Sequence, residues 1–378
     1  MIKLLIVLVA IIFIAQVVRV FEISNFITKT KNEVSDQSNH INGILLLLAG
    51  IGLLIFFFWQ RAAWMDQTLQ ISASEHGPII DSLWDTTMGL IIVVFLILTP
   101  MLFGIAFFYR GKENNKASYI THNNKLEFFW TAIPAVVLLV LISYGLAVWG
   151  KIVNQDISDA MVIEIYAKQF NWTARYAGED NQLGRADVRF VGGKNELGVI
   201  STTTHKSQLE AIDAKISNLN NELNNSDNTA KKKLLSKRIQ KLDKKKKTLM
   251  TYFVTTSMDQ LLSAEDDIIT KELHLPVGKK VLFKFRSQDV LHSAYLPHFR
   301  VQMNCVPGTT TQFAFTPTIT TSDMKKELDD ESFEYVMLCN KICGAAHYNM
   351  QMKVVVETEE EYNKWIATQE ESNSISNL

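Results

Sequence analysis

Cys339-Asn-Lys-Ile-Cys343-Gly-Ala-Ala-His347-Tyr-Asn-Met350 gathers two thiols, an imidazole and a thioether within twelve residues. Soft sulfur and imidazole together suit copper. Zinc would accept two cysteines and a histidine, but a thioether is a poor zinc ligand. Upstream, Asp289-Val-Leu-His292-Ser lies between two β-type runs, so a loop is expected to present His292 beside the cysteine loop. Taken alone, C-x3-C is a weak signal, compatible with a disulfide or with two buried thiols, and Met350 alone reads as core filler. The joint pattern C-x3-C-x3-H-x2-M with a distant D-x-x-H-S is far more specific and predicts a metal centre.

The surrounding sequence is strand-like. Met161–Ala167, Glu272–Pro276, Lys280–Arg286, Thr311–Thr316, Ser332–Leu338 and Met352–Glu357 are short β-rich runs separated by turns such as Pro276-Val-Gly and Pro307-Gly308. They predict a Greek-key sandwich or barrel. Leu209, Ile212, Ile216, Leu219 and Leu223 instead step by three and four, and after Asn224–Asn228 the rhythm resumes at Leu235, Ile239, Leu242 and Leu249. This predicts an antiparallel helical hairpin, about residues 206–252, inserted in the β domain. Its second helix carries ten Lys/Arg between Lys231 and Lys247. The run reads either as a solvated face or as a docking surface for an acidic partner or anionic headgroups.

The chain has 378 residues, 47% hydrophobic and 20% charged, with a net charge of −1. That excludes bulk disorder and a chain-wide basic field, and no aromatics interleave the Lys run, so nucleic acid is not an expected partner. Three cysteines make no disulfide framework. A mean hydropathy of +0.06 hides a split, because the long apolar runs all fall before residue 150. Gly89–Tyr109 and Phe128–Trp149 are 21 and 22 residues without a charge, long enough to cross a bilayer. Ile44–Trp59 is slightly shorter, and Leu4–Val18 is apolar except for Gln16. Arg19, Lys29 and Lys31 in the first loop, and Arg110, Lys112, Lys116 and Lys125 in the third, place those loops in the cytoplasm. Four spans then put the C-terminal domain outside. A cleaved signal at Leu4–Val18 is the alternative, opposed by this parity and by the lack of a small-x-small site. The expected organisation is two additional helices in 1–60, an extracytoplasmic connector at 61–87, a transmembrane hairpin at 88–150, the metal-binding β domain at 151–370 and a tail at 371–378.

These motifs make the chain similar to subunit II of haem–copper cytochrome c oxidases over about residues 85–195 and 265–370. Asp289-Val-Leu-His292-Ser with Pro297 and Pro307-Gly308, the Cys339–Met350 stretch, Glu127-Phe-Phe-Trp130-Thr131-Ala-Ile-Pro134 and Gln169-Phe-Asn-Trp172 carry the resemblance. It implies transmembrane helices followed by an all-β cupredoxin-like Greek-key domain. It further implies two copper ions forming a copper A centre, bridged by Cys339 and Cys343. His292 and His347 would bind one copper each, and Met350 and the Lys341 carbonyl would complete the set. Asp289 is the candidate for orienting a ligand, the rival reading being a turn cap.

The resemblance implies an electron-accepting subunit of a terminal respiratory oxidase. Electrons would come from cytochrome c, or from a cytochrome c domain of a quinol–cytochrome c reductase supercomplex. They would go to haem in subunit I, where oxygen is reduced. The setting would be a bacterial inner membrane with the copper domain on the periplasmic side, in contact with lipid and other oxidase subunits. Glu127 would stand at the mouth of a proton path, against a merely interfacial role. The family's acid between the cysteines is Lys341 here, and its acid before Pro-Gly is Asn304, which argues against a magnesium site shared with subunit I. The aromatic at which electrons enter would be Phe170 or Trp172, against plain sandwich packing. Cys305 reads as a buried thiol. No C-x-x-C-H occurs, so no c-type haem is attached. The rival readings are a copper-free structural subunit of a quinol oxidase and the copper domain of a nitrous oxide reductase. The intact donor set opposes the first, and the apolar runs oppose the second.

Overall fold

The computed structural model describes residues 36–113, 115–193, 195–373 and 375, together with 11, 14 and 16–20. Among these, one compact unit holds the residues up to Asp66 and Thr87–Val136, and a second holds Gln67–Thr86 and the residues from Val137 on.

Three helices, α1 (Asp36–Trp64), α2 (Gly77–Phe108) and α3 (Asn124–Val153), are long and apolar enough to cross a membrane. The Leu4–Val18 run lies mostly outside the described residues. In the first unit α1 and α2 run antiparallel. Phe57 meets Phe95, Gly50 lies under Phe103, and Asp36 accepts the Glu113 N–H. Gly50 permits this approach, because a Cβ there would lie 2.5 Å from the Phe103 ring. The connector is shorter than the expected 61–87, since α1 runs to Trp64 and α2 already begins at Gly77. Asp81 and Asp85 end the uncharged run but not the helix, and in the second unit Asp81 is held by Arg300 at 2.7 Å. Likewise α3 continues past residue 150 to Val153.

In the second unit the chain forms β1 (Met161–Lys168) and β2 (Asn171–Tyr176), then the helices α4 (Thr202–Asn224), α5 (Thr229–Thr255) and α6 (Met258–Leu262). There follow β3 (Ile268–Thr270), β4 (Leu273–Pro276), β5 (Val281–Ser287), β6 (His292–Leu296), β7 (Val301–Cys305) and β8 (Thr311–Phe315). The chain closes with α7 (Thr321–Leu328), β9 (Tyr335–Cys339), β10 (Gln351–Glu357) and α8 (Glu359–Asn373). Two five-stranded sheets result, in the orders β3-β2-β1-β5-β8 and β4-β10-β9-β6-β7. The β1/β5 and β4/β10 pairs are parallel. The chain crosses between the sheets at β3–β4, β4–β5, β5–β6, β7–β8 and β8–β9, while β1–β2–β3, β6–β7 and β9–β10 stay within one sheet, a mixture of crossovers and hairpins that a cupredoxin-like Greek key contains.

Alternation along each strand sends one set of side chains inward. Ile163, Ile165, Phe283 and Phe285 of the first sheet share a core with Leu296, Tyr335, Met337 and Val354 of the second. Each such side chain, fully buried, contributes about 1.5–3 kcal/mol. On the opposite face of β1, Glu164 is buried beside Arg175 at 2.8 Å, and Arg175 also reaches Asp267 at 2.8 Å. Arg286 completes this network on Glu164.

The hairpin helices are somewhat longer than the heptad leucines suggest. A capping box between Ser201 and Thr204 starts α4, and Asn228 caps α5. Ile212 and Leu249 meet Phe190, Ile200 and Leu261 at the hairpin base.

Four strands escape the sequence reading. β2 carries Arg175, whose burial in an ion network breaks the apolar alternation, and β3 is only three residues long. β6 opens with His-Ser, and β7 contains Gln302 and Asn304. His292 therefore stands on a strand and not on a loop. The expected tail also has structure, since α8 extends to Asn373 and buried Ile375 donates its N–H to the Asp267 carbonyl.

Candidate metal centre

The donors are assembled by one sheet. β9 and β10 are antiparallel neighbours with Leu338 opposite Gln351, and the Cys339 N–H donates to the Met350 carbonyl at 3.0 Å. Residues 340–349 are thereby closed into a loop whose two ends, Cys339 and Met350, touch. On the other side of β9, Ala294 of β6 lies opposite Cys339, and the Asn340 N–H donates to the Ser293 carbonyl at 2.9 Å. That pairing brings His292 to the cysteine, 47 residues away in sequence.

The resulting cluster is tight. The Cys339 and Cys343 sulfurs are 3.9 Å apart, too far for a disulfide, and both thiols are free and buried. Nδ1 of His292 is 3.8 Å from Cys339 Sγ, and Nδ1 of His347 is 3.7 Å from Cys343 Sγ. The Met350 thioether is 3.7 Å from Cys343 Sγ, and the Lys341 carbonyl is 3.2 Å from Cys339 Sγ. The ligand atoms of His292, Cys339 and Cys343 all lie within 4.8 Å of one another. Every partner of the two sulfurs is thus a group able to bind a soft metal. Burial, with the neighbouring Cys339, pushes the Cys343 thiol up to about 11. Two adjacent thiolates here call for a cation between them, and the donor set fits copper.

The surroundings fix the ligands. Asp289 Oδ1 lies 2.9 Å from Nε2 of His292, so the opposite ring nitrogen faces the cysteine. Asp289 also accepts the Gln169 and Val290 N–H groups, at 2.8 and 2.7 Å. Burial works to raise the Asp289 pKa, but the hydrogen bonds from Gln169, His292 and Val290 outweigh it and hold the carboxyl below its ordinary value. The Gln169 side chain donates to the Cys343 carbonyl. In the sequence Gln169 only opens the Gln169-Phe-Asn-Trp172 motif and carries no role of its own. Trp172 is buried, donates from Nε1 to the Met350 carbonyl at 3.4 Å, and stands edge-on to the His292 ring at 6.1 Å. Phe170 is half-buried and lies over Gly344, where a Cβ would sit 2.9 Å from its ring.

The remaining singled-out residues fall elsewhere. The Lys341 and Asn304 side chains are exposed. Cys305 is fully buried opposite His292 on β7, and burial pushes its thiol up to about 12. Glu127 belongs to the helical unit. There it accepts the Asn123 N–H at 3.0 Å, while Asn123 Oδ1 accepts the Leu126 N–H at 3.1 Å, a reciprocal cap at the start of α3.

Residues 62–148 match the family model "Cytochrome C oxidase subunit II, transmembrane domain". Residues 243–358 match "Cytochrome C oxidase subunit II, periplasmic domain", a span that contains all six donors. The chain belongs to the cytochrome c oxidase subunit II family. An alternative cytochrome c oxidase subunit 2 from Bradyrhizobium diazoefficiens is 27% identical over 86% of this chain and 91% of its own length. Cytochrome c oxidase subunit 2 of Thermostichus vulcanus is 23% identical, covering 85% and 84%. That of Cereibacter sphaeroides is 23% identical, covering 79% and 78%. As a subunit II, the protein is part of a haem–copper oxidase with subunit I as its partner. It is a membrane protein with a periplasmic domain, and copper A is the metal centre of its family.

Proposed function

We propose that this chain accepts electrons one at a time from cytochrome c, or from a cytochrome c domain of a neighbouring quinol–cytochrome c reductase. It delivers them to haem in subunit I, at the periplasmic side of a bacterial inner membrane. The observation that carries the reading is the convergence of two thiols, two imidazoles, a thioether and a carbonyl in one cluster, in which His292, both thiols and the thioether are buried and His347 is half-buried. Cys339 and Cys343 would bridge two copper ions, His292 and His347 would bind one each, and Met350 and the Lys341 carbonyl would be the weak outer donors. Such a centre supplies a one-electron carrier whose shared thiolates and soft donors keep structural change on reduction small.

The chain's own residues do the rest. Asp289 orients His292, and Gln169 ties the Cys343 backbone to the Asp289 turn. Phe170, which lies over Gly344 of the ligand loop, and Trp172, which donates to the Met350 carbonyl, are the proposed route by which electrons enter. Glu127 is proposed as the mouth of a proton path into subunit I. The exposed ammonium of Lys341 and the amide of Asn304 do not suit a divalent cation, so no magnesium is assigned here.

The test is copper content and near-infrared absorption of the purified full chain. Two coppers per chain with a copper A band, both lost in Cys339→Ser, are expected. A folded, metal-free protein would overturn the reading in favour of a copper-free quinol-oxidase subunit.

A further inference from the structure

The most strongly charged surface of the molecule lies on α5, away from the metal centre. The helix carries ten basic side chains against one acid, Asp243, in a chain whose net charge is −1. Among the described residues only Lys246 of the ten is in an ion pair, with Asp213 of α4. Its position explains why. The inner face of α5 is formed by Leu235, Ile239, Leu242 and Leu249, and Lys246 falls on the same side. Lys233, Lys237, Lys241 and Lys245 follow one another at four-residue steps on an outward stripe, and all four are exposed. Like charges at this spacing repel and destabilise a helix. A helix face that merely needs solvation interleaves acids and bases, as α4 does with Lys206, Glu210, Asp213 and Lys215. Among the described residues the α5 stripe has no such relief.

Beside the stripe, between α4 and α5, lies an open groove of about 450 Å³. Its floor is the half-buried pair Leu219 and Leu242, and Lys215, Arg238 and Lys241 stand on its rim. Leu234, 52% exposed, adds an apolar side chain about two turns from Leu242 toward the hairpin tip. A planar headgroup layer would meet the cations but would not reach the recessed leucines. Insertion into lipid is also disfavoured, because the regular apolar face of α5 is turned inward, with Leu235 and Leu249 buried and Ile239 and Leu242 half-buried. A helix laid along the groove would satisfy both features, seating apolar side chains between Leu219 and Leu242 and carboxylates against the rim.

We propose that the α4–α5 hairpin is a docking site for an acidic amphipathic helix of another polypeptide, which packs as a third helix against the Lys233–Lys245 stripe. The proposal is independent of the copper reading, since none of these residues belongs to the donor cluster.

A water-soluble carbodiimide joins an amine to a carboxylate only when the two are in contact. Applied to the assembled oxidase and read by mass spectrometry, it has built-in controls in Lys353–Glu334 and Lys271–Glu196, each at 2.7 Å. The expected result is cross-links from Lys237, Lys241 or Lys245 to acids spaced three or four apart on a second polypeptide. These should fall at least tenfold at high salt, in the Lys237→Glu/Lys241→Glu variant and in Leu219→Asp, with both control links retained. Control links without any from the stripe would overturn the proposal, as would links to acids lacking helical spacing. Protection of the same lysines from acetylation by phosphatidylglycerol vesicles, with no inter-chain link, would assign the surface to lipid and equally overturn it.

Discussion

Asp289 and His292 are joined at 2.9 Å through the ring nitrogen that points away from the sulfurs. The carboxylate therefore selects which imidazole nitrogen faces Cys339 and fixes the plane of the ring. Asp289→Ala should leave the fold intact and weaken copper retention by about 10–100-fold. Chelator titration followed at the copper band measures this. Unchanged retention would reduce Asp289 to a turn cap.

Gly344 adopts φ +144°, and a Cβ on it would lie 2.9 Å from both the Phe170 ring and the Gln169 amide. Gly344→Ala should cost about 1–3 kcal/mol in backbone strain alone, and should distort the ligand loop enough to alter the copper spectrum. Adding Phe170→Ala removes the ring but not the strain, so the double variant should recover only part of the loss. Thermal unfolding of the three variants, with spectra, separates the two contributions.

His298 provides a pH dependence. Burial, aided by Arg300, lowers its pKa to about 4, and its ring packs edge-on to Phe333 and Tyr335. With the folded pKa below the unfolded 6.5, the unfolded chain binds the extra proton first. This contribution is whole above pH 6.5 and is lost as pH falls toward about 4. His298→Phe keeps the aromatic contacts and removes the titration. Urea midpoints should therefore fall less for the variant than for the natural chain between pH 7 and pH 5. Equal falls would show that His298 does not titrate as its burial implies.

Arg175 is buried between Glu164 and Asp267. Arg175→Met strands Asp267 without its cation and leaves Glu164 with Arg286 alone, so a loss of about 3–5 kcal/mol is expected. The network lies on the face of β1 opposite the core, so the copper band of the folded protein should keep its shape. A large spectral change at full stability would contradict both statements.

The donor set was legible because most of it is local. Four side chains and a carbonyl fall between Cys339 and Met350, and a single strand pairing supplies His292. The role of Gln169 was not legible, because the residue acts through a carbonyl 174 residues away and no local pattern records that contact. The heptad leucines disclosed the hairpin, and uncharged length disclosed the membrane-capable helices. Burial of a charged network hid β2, since Arg175 interrupts the very alternation that marks a strand. β6 was hidden by the residue that matters most to function, because a histidine followed by serine reads as a turn. Helix α8 opens with three consecutive glutamates, and its packing residues Tyr362 and Trp365 are too few to reveal a period.

All six donors hang on β6, β9 and β10, three side-by-side strands of one sheet, while the helical hairpin interrupts the chain between β2 and β3 of the other. Chemistry and elaboration are thereby kept on separate scaffolds. A lineage can lengthen, recharge or delete the hairpin without altering a donor-bearing strand, so new assembly contacts are open to this protein while its candidate metal centre stays in place.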